Sequence, residues 1–155
     1  MLPVPVRRGG VTLLELAAVL ALIAIFVALA AARLGPLPMG NHRAAADARR
    51  LALDLLQAQR RAIATGDNHY LEFAMNGPKA LGYTIYQRNS GGGVTAVDAA
   101  RTFPASVTVT PSHSVEEFNF EGSALAAYQI TLSGPNREWR VSVVPLSGAV
   151  QVEEL

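Results

Sequence analysis

Three patterns of apolar and polar positions divide the chain. From Val11 to Ala32 there are 22 residues, and only Thr12 and Glu15 among them are polar. As a helix this run spans about 33 Å, roughly one hydrocarbon core. From Ala44 to Ala64 the apolar residues recur at three- and four-residue steps. Ala48, Leu51, Ala52, Leu55, Ala58, Ala62 and Ile63 form one stripe, while Arg49, Arg50, Asp54, Gln57, Arg60 and Arg61 mostly fall off it. That spacing predicts an amphipathic helix, with Asn41 placed to cap it and Gly66 to end it. Between the two helices, Gly35-Pro36-Leu37-Pro38 breaks or kinks the chain, because proline lacks a donor and clashes with the preceding turn.

After Gly66 the period drops to two. Leu71, Phe73 and Met75 alternate with Tyr70, Glu72 and Ala74; Tyr83, Ile85 and Gln87 alternate with Thr84 and Tyr86. Further strands are predicted at Val107–Thr110, Val115–Phe120, Tyr128–Ser133, Trp139–Val144 and Ala149–Glu153. Phe118 and Phe120 should share a face, as should Ile130 and Leu132, and Trp139, Val141 and Val143. Asn76-Gly77-Pro78-Lys79, Ser133-Gly134-Pro135-Asn136 and Pro145-Leu146-Ser147-Gly148 read as turns, and Ser90-Gly91-Gly92-Gly93 as a flexible loop. About seven strands after one long helix, interrupted near Gly35–Pro38, make an α+β chain: an apolar first half-helix, an amphipathic second half, and an antiparallel β domain.

Charge changes the picture in one place. The net charge is +1, but residues 1–65 carry +5 and residues 66–155 carry −4. The acidic β half is a poor holder of phosphates, which disfavours nucleic acid as a partner. The chain has no cysteine, which removes disulfides, thiolate metal sites and a cysteine nucleophile. His42, His69 and His113 have no metal-ligand spacing, and His69 follows Asp67-Asn68 in a loop-like spot. Glu116 and Glu117 fall on opposite faces of a strand, which argues against an acid–base pair. Asp98 is the one aspartate late in the chain, so a carboxylate cluster for calcium is missing. The Ser90–Gly93 run is followed by neither a Lys-Ser/Thr pair nor a helix, unlike a phosphate loop. The expectation is therefore a non-enzyme without catalytic residues, metal or cofactor.

Glu15 is the residue that needs an explanation. A charge at membrane depth costs at least ~2.5 kcal/mol and calls for a partner. A cut after Gly10 would free the amine of Val11, four residues before Glu15. Within one chain that pairing is awkward; between staggered chains the amine of one could neutralise the carboxylate of the next. An ordinary secretory signal has a shorter apolar core without a carboxylate, and a plain anchor requires neither Gly9-Gly10 nor Glu15.

Arg7-Arg8-Gly9-Gly10-Val11-Thr12-Leu13-Leu14-Glu15 resembles the leader and mature N-terminus of type IV pilins and type II secretion pseudopilins. Further along, Phe120-Glu121-Gly122-Ser123, Ile130-Thr131-Leu132, Trp139-Arg140-Val141-Ser142-Val143 and Gly148-Ala149-Val150 resemble the globular domain of H-type minor pseudopilins (the GspH/FimT family). So does Arg50-Leu51-Ala52 through Gln59-Arg60-Arg61-Ala62-Ile63. The resemblance implies a pilin-like fold divided into a leader (1–10), a transmembrane and assembly helix (11–33), a kink and amphipathic half-helix (34–66) and an extracytoplasmic β domain (67–155). It implies cleavage between Gly10 and Val11 by a prepilin peptidase, N-methylation of Val11, and docking through Glu15. Val11 stands where the family usually has phenylalanine.

The implied role is a minor subunit of the type II secretion pseudopilus, which helps to export folded proteins across the outer membrane. The implied partners are other pseudopilins in a hetero-oligomeric filament, inner-membrane lipid before assembly, and the secretin or secreted proteins indirectly. Arg7 and Arg8 favour a cytoplasmic N-terminus, yet Arg33, Arg43, Arg49 and Arg50 follow the span, so charge alone does not set the orientation. The leader resemblance sets it: single-pass in the bacterial inner membrane, β domain periplasmic. The alternative is a FimT-like type IV minor pilin that acts in pilus assembly or DNA uptake, with Arg137 and Arg140 as its candidate contacts. A third reading is a simple anchored β domain with an unrelated partner.

Overall fold

A computed structural model describes residues 12–34 and 39–155. Gly9, Gly10, Val11 and the Gly35–Pro38 kink lie outside the described residues. Residues 1–37 and 38–155 form two separate units. In the first, α1 runs over Leu13–Leu34.

In the second, α2 runs over Met39–Thr65. It ends where Gly66 turns left-handed (φ 73°) and donates its N–H to Ala62 O at 3.0 Å, as a glycine cap does. Nine strands follow: β1 (Asn68–Asn76), β2 (Lys79–Arg88), β3 (Val94–Ala96), β4 (Arg101–Thr102), β5 (Thr108–Pro111), β6 (Val115–Phe118), β7 (Tyr128–Ser133), β8 (Glu138–Val143) and β9 (Val150–Glu154). They form two antiparallel sheets. One has the order β3-β2-β1-β6, with β4 also on β2; the other is β5-β7-β8-β9. Ala124 stitches the sheets together through bridges to Phe118 and Pro145.

One core joins both sheets to α2. Ala44, Ala48, Leu51, Leu55, Ala58 and Ala62 are fully buried on the helix, and meet Leu71, Ile85 and Phe118 from the first sheet and Val109, Ile130, Leu132 and Val141 from the second. Four of those six helix residues are alanine, which brings the helix backbone close to the strands. Gln59 then ties down two loops, donating from Nε2 to Gly122 O at 2.8 Å and to Ser147 O at 2.9 Å. The buried apolar residues of the core all fall between Ala44 and Val143, so the unit 38–155 carries its own core.

The α+β arrangement follows the sequence pattern, with specific departures. Asn41 lies inside α2, buried, and its Oδ1 accepts from the Asn136 N–H at 3.1 Å. It fastens the helix to the β7–β8 turn instead of capping it. Ile63 sits on the predicted stripe yet is exposed, and Asp54 sits off it yet is buried. A register shift between Ala74 and Met75 turns Met75 outward from the face of Leu71 and Phe73. β6 stops at Phe118, because Asn119 Oδ1 takes the N–H groups of Glu121 and Ser123 (3.1 and 2.9 Å) and opens a turn. Phe120 therefore points to solvent while Phe118 is buried. The Ser90–Gly93 segment is a hydrogen-bonded turn: Asn89 N donates to Gly93 O (3.0 Å) and Asn89 Oδ1 accepts from Gly93 N (2.7 Å).

Close packing on α2 makes its core residues sensitive in both directions. Leu55→Ala should cost about 2–5 kcal/mol through the cavity it leaves. Ala48→Leu should cost about 1–3 kcal/mol by pushing the helix off the strands. Urea unfolding of the 38–155 unit measures both; a loss under about 0.5 kcal/mol for either would contradict this packing.

Candidate functional site

The feature that nothing else in the chain accounts for is the surface of α1. Every large apolar side chain from Leu13 to Leu29 is between 52% and 86% exposed. They point in all directions around the helix, and none of the Leu13–Ala30 segment is buried. A helix that is apolar all round belongs inside a protein assembly or a lipid bilayer. At about 1.5–3 kcal/mol for each large side chain, covering these eleven is worth on the order of 20 kcal/mol.

The N-terminus of α1 is built by Thr12 and Glu15. The Glu15 N–H donates to Thr12 O (3.0 Å) and to Thr12 Oγ1 (3.3 Å), and the Leu16 N–H to Thr12 O (3.1 Å). Thr12 is thus the N-cap and Glu15 the third helical residue, the Thr-x-x-Glu spacing of a capping box. That signature is legible in the sequence and adds a local role to both residues. The Glu15 carboxylate sits in the first turn, where a negative charge suits the helix dipole. Val11 and Gly10 are outside the described residues, so the geometry of the junction before Thr12 is not part of this picture.

Arg137 and Arg140 lie beside each other across β8 and β9, and each is ion-paired. Arg137 Nη1 is 2.8 Å from Glu154 Oε1, and Arg140 Nη1 is 3.2 Å from Glu153 Oε1. The register places Arg140 opposite Glu153. The strand pairing thereby pairs Arg140, and Arg137, one residue before β8, reaches Glu154 at the end of β9, which no local sequence window displays. On α2, Arg61 pairs with Asp98 at 2.7 Å, while Arg49, Arg50 and Arg60 are exposed without an ion pair among the described residues.

Several polar groups are buried in the β unit. Asp54 accepts a short hydrogen bond from the Tyr83 hydroxyl and lies 3.1 Å from Arg101 Nε. Burial first, then Asp54, pushes the Tyr83 phenol well above its usual range. Glu117 is buried, but Arg88 Nη1 reaches both its oxygens (3.0 and 2.8 Å) and Asn68 Nδ2 one of them (2.8 Å). His69, expected in a loop, is in β1 and buried, with Nδ1 3.2 Å from Asp67 O. Glu116, on the other face from Glu117, is also fully buried, and neither of its oxygens has a hydrogen-bond partner. Burial alone pushes its pKa up to about 8. His42 and His113 are exposed, and no group of three His, Asp or Glu among the described residues could hold a metal ion.

No family model matches the chain, and no curated protein matches it in sequence. Solved structures do match in fold. The minor pseudopilin EpsH from the type 2 secretion system of Vibrio cholerae superposes with a TM-score of 0.59 at 14% identity, over 72% of this chain and 96% of that one. The type IV minor pilin FimU of Pseudomonas aeruginosa gives 0.61 at 15% identity, over 73% and 90%. The chain has the pilin-like α+β fold.

Glu116 gives a pH test of the buried charge. Its folded pKa lies above the unfolded value, so its contribution to stability is present below about pH 4.5 and is lost as pH rises through about 8. Thermal unfolding of the 38–155 unit should show a loss of a few kcal/mol across that window in the native sequence. Glu116→Gln should flatten the curve. Parallel curves for the two proteins would mean the carboxyl is not sealed from water.

Proposed function

We propose that this protein is a minor subunit of a type II secretion pseudopilus. The observation that carries the reading is the all-round exposed apolar surface of α1, ahead of a self-sufficient domain with the fold of minor pilins and pseudopilins. Such a helix has two solvents available. In lipid it anchors one subunit, N-terminus cytoplasmic and domain periplasmic. In a filament it packs against the same helix of other pilin-like subunits.

Glu15 is the residue that makes the second state favourable. In lipid its carboxylate is an uncompensated cost of at least ~2.5 kcal/mol. Cleavage after Gly10 gives Val11 a free, then methylated, amine that remains cationic. In the assembly the Val11 amine of one subunit meets the Glu15 carboxylate of a neighbour, so both charges are removed from lipid as a pair. The prepilin peptidase is thus a required partner. The subunit itself does no chemistry.

A second reading, a type IV minor pilin, is supported equally by the fold shared with FimU. Its DNA-uptake form is weakened by the −4 balance of residues 66–155, and the exposed ion pairs of Arg137 with Glu154 and Arg140 with Glu153 lower the net positive charge offered to a polyanion.

Mass measurement of the N-terminus from native membranes is the direct test. A mature chain starting at methylated Val11 is expected. An intact Met1 leader on functional protein, or a start near Arg33, would overturn the reading. Glu15→Leu should remain processed and membrane-resident yet drop out of filaments and block export. Full secretion by that variant would reduce α1 to an anchor.

A further inference from the structure

A pocket of about 330 Å³ opens beside the first turns of α2, and the filament reading does not use it. Its walls are Asn41, His42, Ala45, Ala46 and Arg49 from α2, Arg137 and Trp139 from the start of β8, and Glu154 from β9. The α2 residues recur at spacings of one, three, one and three, so they form a single face of the helix. The volume is at the lower end of small-molecule sites, about 300–1,000 Å³.

Its electrostatics favour an anion. Arg49 has no ion pair among the described residues, and Arg137 is held by Glu154 through one of its nitrogens, Nη1. With Glu154 the lone acid in the lining, two guanidiniums outweigh one carboxylate. The surrounding α2 surface carries the exposed Arg43 and Arg50. Trp139, buried in the core, forms the inner wall of the pocket with the small part of its indole left open.

The sequence connection says which anion. Only residues 35–38 separate the end of α1, whose side chains call for lipid, from the start of α2. We infer that the pocket binds the phosphate of an anionic phospholipid headgroup, with Arg49 and Arg137 contacting the phosphate and Trp139 packing against the glycerol. Each such basic group contributes about fivefold to partition onto an anionic surface. The site would engage lipid while the subunit is membrane-resident. The inference goes beyond the filament reading and rests on the 38–155 unit alone, so failed processing at Gly10 would not affect it.

Trp139 is the one tryptophan of the chain, so its fluorescence reports on the pocket directly. The 38–155 unit is mixed with vesicles of phosphatidylcholine alone, with vesicles of phosphatidylcholine and phosphatidylglycerol in equal parts, and with inorganic phosphate at the same phosphate concentration. Co-sedimentation and a shift in Trp139 emission are expected with the anionic vesicles only. Arg49→Ala should weaken partition about fivefold, and Arg49→Ala with Arg137→Ala roughly 30-fold. Arg60→Ala with Lys79→Ala removes the same charge from exposed positions elsewhere and should change it less than twofold. Equal loss in that control would replace the pocket by a diffuse surface charge. An equal emission shift with inorganic phosphate would make the site one for small anions, a shift with duplex DNA but not with vesicles would make it a nucleic-acid contact, and no shift with any probe would remove the site; each overturns the lipid inference.

Discussion

A helix whose own chain covers none of its apolar surface governs everything else about this protein. From Leu13 to Leu29 the side chains are of the kind that form cores, yet they stand in the open. On the order of 20 kcal/mol of burial is left for something outside the chain to supply. No rearrangement of the 38–155 unit could provide it, since that unit's own core is already closed around α2. A helix that is apolar all round finds its burial in lipid, among other apolar helices, or in each in turn. The last of these is what a filament drawn from a membrane requires.

The closed core is the second half of the same logic. In the proposed role, exchange between lipid and filament would move α1 from one apolar solvent to another. A domain that depended on α1 for its packing would unfold or loosen at that step. Here the stripe from Ala44 to Ala62 is satisfied by both sheets, Asn41 locks the start of α2 to the β7–β8 turn, and Gln59 locks its far end to two loops. The domain's stability is thus decoupled from where its anchor resides. In the proposed role, Glu15 would bias where α1 resides without disturbing the fold behind it.

What could be read from the sequence was whatever repeats locally. The apolar run, the helical stripe and the period-two strands from Tyr128 to Glu154 each carry their structure in a short window, and β7 appears at its predicted bounds. What escaped was fixed by distant partners. Asp54 is off the apolar stripe and still buried, because Tyr83 and Arg101 come from β2 and β4 to satisfy it. Asn41 has the chemistry of a cap, but the turn at Asn136 claims its side chain. His69 looked like loop because Asp67-Asn68 precede it, yet pairing with Phe118 on β6 draws it into β1. β3 and β4 are two or three residues long, too short for any period. At the site, Glu15 was legible as an anomaly in an apolar run. The neutralisation of Arg137 and Arg140 was not, since it depends on the register of β8 against β9.

That register has a consequence for how the domain meets charged surroundings. Arg140 faces Glu153 across β8 and β9, and Arg137, just before β8, pairs with Glu154, so each of these arginines has an acid beside it. The helix beside it is different: Arg43, Arg49 and Arg50 project from the first turns of α2 without ion pairs to carboxylates among the described residues. Of the +5 balance of the first 65 residues, +3 lies on α2, from five arginines against Asp47 and Asp54. The acids of the rest are partly paired, Asp98 with Arg61 and Glu117 with Arg88. A nucleic-acid surface would place its uncompensated arginines on the exposed sheet. This chain keeps them on α2, which follows the apolar helix α1 in sequence.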